Sequence, residues 1–258
     1  MFFETKNHSA SLTLSPICSL ALVLIAFMII SLPAGASTTG SVGSASVSKG
    51  KTSLEARIGY SDAENSSSQD ERFRSRVQID HGFTDYYAGR IVISQDRRKG
   101  DNLEHDAIKV ENRFYLMNKD DYGFDFGLRA AYSHKDGDKK PNALEFGLYA
   151  LASLDVYEVR VNQIFSHEVG ADAEDGIGGE TRLQVTRPII QGHRFGLESF
   201  HDFGNFSDDS EYSDQSHTFG PVFKGKISET MKYETGYRVG ISDSAPDHSF
   251  KFFLSHTF

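Results

Sequence analysis

Acidic and basic side chains alternate at a spacing of two residues in several segments of this chain. In an extended strand, residues two apart lie on the same face, so the two side chains can form an ion pair. Arginines gathered on one face can instead select anions at a constriction, and a guanidinium can bind a carboxylate or phosphate through two hydrogen bonds. These patterns therefore indicate either anion recognition or an internal ion-pair network. The pairs are Glu55 with Arg57, Glu111 with Arg113, Glu158 with Arg160 and Glu180 with Arg182.

The segments that carry these charges have apolar residues at period two, which is typical of half-buried strands. Most have roughly the 9–11 residues that a tilted strand needs to cross a bilayer. Their number is even, as in bacterial single-chain transmembrane barrels. After residue 36, no segment has the period of an amphipathic helix. Twelve strands are predicted, at 52–61, 72–82, 86–96, 106–117, 122–133, 143–153, 156–167, 179–189, 194–204, 215–227, 231–242 and 248–258.

The connections between these strands alternate in length and polarity. Short links are predicted at 83–85, 118–121, 154–155, 190–193 and 228–230. Mostly longer and strongly polar links are predicted at 62–71, 97–105, 134–142, 168–178, 205–214 and 243–247. Transmembrane barrels have this asymmetry, with short periplasmic turns and longer external loops. We therefore predict an up-and-down antiparallel barrel with both ends on the short-link side.

The two faces of each strand differ in a way that fits such a barrel. The polar face carries full charges beside many glycines, which favours lipid outside and water inside. Basic residues outnumber acidic ones on this face, although the whole chain has a formal net charge of −9. The excess acid lies in the longer links. The predicted anion-binding residues of the lumen are Arg57, Arg74, Arg76, Arg90, Arg113, Arg129, Arg160, Arg182 and Arg238.

The N-terminus has the pattern of an export signal. An apolar stretch from Ile17 to Leu32 is followed by Ala34-Gly35-Ala36, a small-residue cleavage site. We predict a signal peptide at 1–36, a flexible Ser- and Gly-rich linker at 37–50 and the barrel at 51–258; an uncleaved membrane anchor is the alternative. Cleavage would remove the single cysteine, so no disulfide or cysteine nucleophile is expected in the mature chain.

Strand number, link parity, the arginine-lined face and the terminal Phe258 together resemble small monomeric twelve-stranded porins of the oligogalacturonate-specific type, which pass acidic sugars. The resemblance implies a bacterial outer-membrane location, contacts with the bilayer and lipopolysaccharide, and assembly by machinery that reads Phe258. It also implies passive diffusion of small anionic solutes through a monomeric channel without enzymatic activity, cofactor or metal. His256 departs from the apolar residue that the family prefers there.

Other functions remain open at this point. The arginines could pair with nearby acids and plug the barrel, and the acidic links could bind a partner in an adhesion role. Outer-membrane lipid hydrolases also use barrels, and they need a serine within hydrogen-bond reach of a histidine. Nucleic-acid binding is disfavoured by the net acidity. The serine–histidine candidates are Ser133/His134, Ser166/His167, Ser216/His217 and the cross-strand pair Ser133/His167.

Overall fold

The computed structural model describes residues 38–64, 68–137, 141–208 and 210–258. Within them, antiparallel strands follow one another around a closed barrel, and β1 pairs with β12 to complete it. The predicted signal peptide, 1–36, lies outside the described residues. The strands are β1 (Thr52–Asp62), β2 (Arg72–Gly82), β3 (Tyr87–Arg97), β4 (Glu104–Met117), β5 (Phe124–Lys135), β6 (Asn142–Leu154), β7 (Tyr157–Val169), β8 (Gly178–Ile190), β9 (His193–Asn205), β10 (Ser216–Lys226), β11 (Met231–Gly240) and β12 (His248–Thr257).

The twelve predicted strands are confirmed, and their ends differ from the prediction by no more than two residues. The start of β5 moves because a one-turn helix, α1 (Lys119–Tyr122), occupies the link before it. The Asn118 side chain caps this helix by accepting a hydrogen bond from the Asp121 N–H at 2.9 Å. Gly123 ends the helix in the left-handed conformation at φ 81°, which a glycine adopts without steric cost.

Two prolines affect the register of the wall differently. Proline has no N–H to donate to a neighbouring strand, so within sheets it is often found at bulges. Pro221 instead pairs with Leu197 of β9 in unbroken register, and the paired residues with β11 are interrupted at Gly220 and Pro221 without a shift. A register shift does occur in β8, between Pro188 and Ile190.

The barrel is polar inside and apolar outside. Fully charged side chains are buried within it, including Lys251 and Glu198, each 1% exposed. Large apolar side chains face outward along the middle of the strands, and Val77 and Ile91 are each 49% exposed. A soluble barrel would bury its apolar face, so this distribution matches a barrel whose outer surface contacts lipid.

The two ends of the barrel differ as predicted. The links at one end hold two to six residues and those at the other end hold six to ten. Exposed aromatic side chains ring the short-link end, which is where an interfacial girdle is expected. They are Tyr86, Tyr122, Tyr157, Phe195 and Phe258. No helix in the described ranges is both long enough and apolar enough to cross a membrane.

Candidate functional site

The barrel encloses a cavity of about 550 Å³ that extends from its middle to the short-link end. Twelve Lys or Arg side chains and four Asp or Glu side chains line it. The wall therefore presents mostly positive charge to the cavity. The structure places seven of the nine predicted arginines on this lining: Arg57, Arg76, Arg90, Arg113, Arg129, Arg160 and Arg182.

The other two predicted arginines point into the barrel elsewhere. Arg74 lies 3.3 Å from the carboxylate of Asp96, which also binds Arg72 at 2.5 Å. Arg238 is 2% exposed, and its guanidinium lies 3.9 Å from the centre of the Phe200 ring. Both arginines are thus held by the wall. Their assignment to an anion-binding lumen, like that of the other seven, stays a prediction.

An ion-pair network crosses β2 to β6 on the lumen side. Arg129 binds Glu111 at 3.1 Å and Glu145 at 2.5 Å, so it joins two strands. Lys109 also binds Glu145. Arg90 extends the network, at 3.2 Å from Glu111. Such pairs lock side chains against one another, and they reduce the charge available to a passing ion.

The pairs predicted from a spacing of two residues form in three of four cases. Arg57 binds Glu55 at 2.5 Å, and the corresponding pairs in β7 and β8 are Arg160 with Glu158 at 2.9 Å and Arg182 with Glu180 at 2.5 Å. The fourth pair does not form. Arg113 binds Asp80 of β2 at 2.5 Å, and Glu111 is bound by Arg90 and Arg129 instead.

A second buried cluster lies between β9, β11 and β12. Lys251 binds Glu198 at 2.8 Å and Glu234 at 2.7 Å. Phe200 lies beside this cluster and is fully buried, with the Lys251 ammonium 5.6 Å from its ring centre. Phe200 and Phe203 are three residues apart and therefore lie on opposite faces of β9, so alternation alone does not show which face of this strand is apolar. The structure places Phe200 inside, where cations surround its ring.

The N-terminal segment occupies part of the lumen. Residues 38–50, whose composition predicts a flexible linker outside the barrel domain, contact the inner wall on several sides. The Gly43 N–H donates to Asn162 Oδ1 at 2.6 Å, and Asn162 Nδ2 donates back to the Gly43 carbonyl at 3.1 Å. Val42 is 1% exposed and packs against Phe200 in a small apolar cluster. We call residues 38–50 the lumen segment.

Lumen-facing arginines hold the lumen segment by its backbone carbonyls. A guanidinium is a strong donor, and a carbonyl oxygen inside a barrel needs such a partner. The segment carries no charged side chain before Lys49. It therefore adds no acidic group that could neutralise these arginines. The contacts are Arg57 to Thr39 O at 3.2 Å, Arg182 to Ser41 O at 3.0 Å, Arg160 to Val42 O at 3.5 Å and Arg113 to Ser46 O at 2.9 Å.

Glycines in the wall make room for the lumen segment. A Cβ atom at Gly59 would lie 2.9 Å from the carbonyl carbon of Thr38, and one at Gly82 would lie 2.0 Å from Ser48 O. Either contact is too close for a side chain. Gly50 N–H also donates to Gly82 O at 2.7 Å, which fixes the end of the segment at the start of β1. The wall and the segment are therefore complementary in shape.

At the long-link end of the barrel, charged side chains of different links form ion pairs. Lys99 donates to Asp70 at 2.6 Å and lies 3.0 Å from Glu71, so it joins the link after β3 to the link after β1. The hydrogen bond from Lys99 lowers the pKa of the Asp70 carboxyl. The same bond raises the pKa of the Lys99 ammonium.

The serine–histidine candidates are not arranged as catalytic pairs. Ser133 is buried on the lumen side opposite Lys109, whereas His167 pairs with the exposed Leu144 on the outer face. Nδ1 of His167 contacts the Gly176 carbonyl at 2.7 Å. The ring nitrogens of His217 contact His201 and Gln215, and only its backbone N–H contacts a serine hydroxyl, that of Ser242 at 2.9 Å. In the described ranges, no group of three or more His, Cys, Asp or Glu side chains is placed to hold a metal.

Comparison with known proteins supports the architecture. No family model and no curated protein sequence matches the chain. Among solved structures, a KdgM porin in complex with disordered oligogalacturonate is 11% identical, with a TM-score of 0.55 over 80% of this chain and 99% of that one. The NanC porin is 9% identical, with a TM-score of 0.57 over 79% and 98%.

A third similar structure is the COG4313 outer membrane channel from Pseudomonas putida F1. It is 9% identical, with a TM-score of 0.65 over 85% of this chain and 100% of that one. At such low identity the similarity shows the fold alone. The predicted all-β barrel and its resemblance to small porins are thereby confirmed at the level of architecture: this chain has the closed twelve-stranded fold of these outer-membrane porins and channels.

Proposed function

We propose that this protein is an outer-membrane channel that lets small anionic solutes, such as acidic sugars, diffuse passively through its lumen. The observation that carries the proposal is the inverted barrel, with an apolar exterior and a cation-rich, cavity-bearing interior. Twelve strands lie between barrels that side chains fill completely and those of large porins, so space for a narrow pore is expected.

The preference for anions follows from the charges at the cavity wall. Lys and Arg outnumber Asp and Glu there by twelve to four, and rings of basic residues favour anion passage. Acids behind the lining, such as Glu145 and Glu180, reduce this surplus by pairing with Arg129 and Arg182. The presence of oligogalacturonate with the KdgM porin supports acidic sugars as the solute class.

The proposal also covers export and orientation. The signal peptide is cleaved after Ala36, so that the mature chain starts at Ser37 in the periplasm. The short links then face the periplasm and the long acidic links face outward, where they contact lipopolysaccharide. Phe258, which is 72% exposed, serves as the assembly signal. The proposed channel is a monomer, and the closure of β1 onto β12 leaves no strand edge among the described residues for pairing with a second copy.

A second candidate function is a closed structural barrel. The specific observation in its favour is the lumen segment, whose carbonyls are bound by four arginines. An ion-pair network beside it narrows the lumen further. In this case the protein would serve the envelope through its outer loops rather than through transport.

Planar-bilayer recordings in a KCl gradient separate these candidates. The channel proposal expects discrete conductance and a reversal potential of the sign that anion preference produces. Replacing Arg76, which lines the cavity, by Gln should shift that potential toward cation preference, most clearly at low salt. The matched control is Arg187→Gln, since Arg187 is exposed on the outer face opposite Phe195.

Two results of these recordings would count against parts of the channel proposal. An unchanged reversal potential in R76Q would remove the proposed role of the wall arginines while leaving a channel. If neither the wild type nor a variant without residues 39–47 conducts, the structural barrel replaces the channel as the best function.

A further inference from the structure

Four basic side chains gather at the short-link mouth of the lumen. Arg194 of β9, Lys224 and Lys226 of β10 and Lys232 of β11 all line the cavity at this end. We call these four residues the basic mouth. The register places Arg194 directly opposite Lys224, and Lys226 directly opposite Lys232. Two like-charge cross-strand pairs therefore lie next to each other on one face.

Like charges that face each other across two strands destabilise a sheet. Nearby acids compensate these charges only in part. Lys224 lies 3.1 Å from Glu158, but the same carboxylate oxygen also binds Arg160 at 2.9 Å. Glu234, the residue opposite Lys224 in β11, is bound by Lys251 at 2.7 Å.

The remaining three cations have even weaker compensation. Arg194 donates to neutral acceptors, the side-chain and backbone oxygens of Thr186 and the backbone carbonyl of Val156. Lys226 lies 3.6 Å from Glu229, whose side chain is 93% exposed and therefore strongly hydrated. Lys232 makes no ion pair within 4 Å in the described part of the chain.

This arrangement differs from the middle of the barrel, where Glu111 and Glu145 are each bound by two basic residues. A repulsive cluster at a cavity mouth is stabilised when an anion binds between the cations. Hydroxyl groups are also available there, because Ser53, Ser255 and Thr257 line the same end of the cavity. Ser255 lies directly opposite Lys232.

The spacing of the basic mouth indicates the kind of anion. Lys224 and Lys226 are two residues apart in one strand, so the two cationic pairs are separated by about 6.6 Å along β10. A molecule with two acidic groups at a similar separation can contact both pairs at once, whereas a monoanion can contact only one.

We propose that the basic mouth is a binding site for small organic dianions on the short-link side of the lumen. It is distinct from the arginine contacts of the lumen segment, and none of its four members was among the predicted site residues. The proposal deepens the proposed anion channel by giving it a site at the periplasmic opening. Binding itself does not require conduction, so the two can fail separately.

The site is tested by isothermal titration calorimetry on the purified full-length protein in detergent micelles at low salt. Adipate is the probe because four methylene groups separate its two carboxylates, and hexanoate is the monoanionic control. Adipate should bind at least about tenfold more tightly than hexanoate, which corresponds to about 1.4 kcal/mol. The double variant K226Q/K232Q should lose about tenfold in adipate affinity, and R187Q, which makes a charge change on the outer face, should bind as the wild type does.

The fold of the variants is checked by thermal unfolding. K226Q/K232Q removes a like-charge contact, so its unfolding temperature should equal or exceed that of the wild type. Equal binding of adipate to K226Q/K232Q and to the wild type would overturn the site, and so would equal binding of adipate and hexanoate. If adipate binds as expected but neither the wild type nor the variant without residues 39–47 conducts in bilayers, the site stands and the channel proposal fails.

Discussion

Two valines on the outer surface provide a direct test of whether lipid surrounds the barrel. Val77 and Val156 are each 49% exposed, so replacement by arginine places a charge on an equally open surface. Their positions differ. Val77 is the central residue of β2 and lies between Ala56 and Ile93 on the neighbouring strands, whereas Val156 lies in the short link between β6 and β7.

The expected energies follow from this difference in depth. An arginine on the outer face costs about 2–4 kcal/mol at the middle of a bilayer and about 0–1 kcal/mol near its surface. Val77→Arg should therefore lower the folding equilibrium constant in a membrane by roughly 30- to 1000-fold, since every 1.4 kcal/mol is a factor of ten. Val156→Arg should change it by less than about fivefold.

The assay is reversible urea unfolding from phospholipid vesicles. Folded and unfolded barrels are distinguished by their different mobilities in gel electrophoresis of unheated samples. Wild type, V77R and V156R are compared at the same lipid ratio. Equal stability losses in the two variants would refute the reasoning, because a water-exposed barrel treats the two positions alike. A larger loss of stability in V156R would show that the middle of the bilayer lies nearer to Val156 than to Val77.

Four further outcomes are expected. Deleting residues 39–47 should increase single-channel conductance, because part of that stretch lines the cavity; unchanged conductance would mean that the segment does not restrict the pore. Lys251→Met should lower the stability measured in urea by about 3–5 kcal/mol, because it leaves buried Glu198 without its nearest cation, and adding Glu198→Gln should recover part of this loss. Mass spectrometry of the outer-membrane form should give Ser37 as its first residue, whereas a retained Met1 would support an anchor. Protease added to intact cells should cut first within 206–215, and cuts confined to short links would invert the orientation.

The strands and their faces were predictable because an up-and-down barrel is a local architecture. Each strand pairs with its neighbours in the chain, and period-two alternation shows which side chains share a face. The strand count, the link parity and the lumen positions of Arg57 and Arg129 follow from these two facts alone. The ends of strands were less predictable, since the start of β5 depends on the capping of α1 by Asn118.

The partners of the buried charges were less accessible from the sequence. Glu111 and Arg113 share a face at the spacing of an ion pair, yet Arg113 binds Asp80 two strands away. Side chains that point into a closed barrel meet others from strands that are not adjacent. Which acid a given arginine reaches depends on the curvature of the wall and the stagger of the strands, and neither is encoded in a local pattern.

The lumen segment shows the same limit most clearly. Small, uncharged residues such as those of 38–48 have no periodicity, and in isolation their composition is that of a flexible linker. Their position inside the barrel depends on distant parts of the chain: the carbonyl-binding arginines of four strands and the glycines that leave room beside Thr38 and Ser48. The sequence by itself determined a barrel with a charged interior. Only the tertiary structure decided what occupies that interior, because the lumen exists only after β1 has closed onto β12.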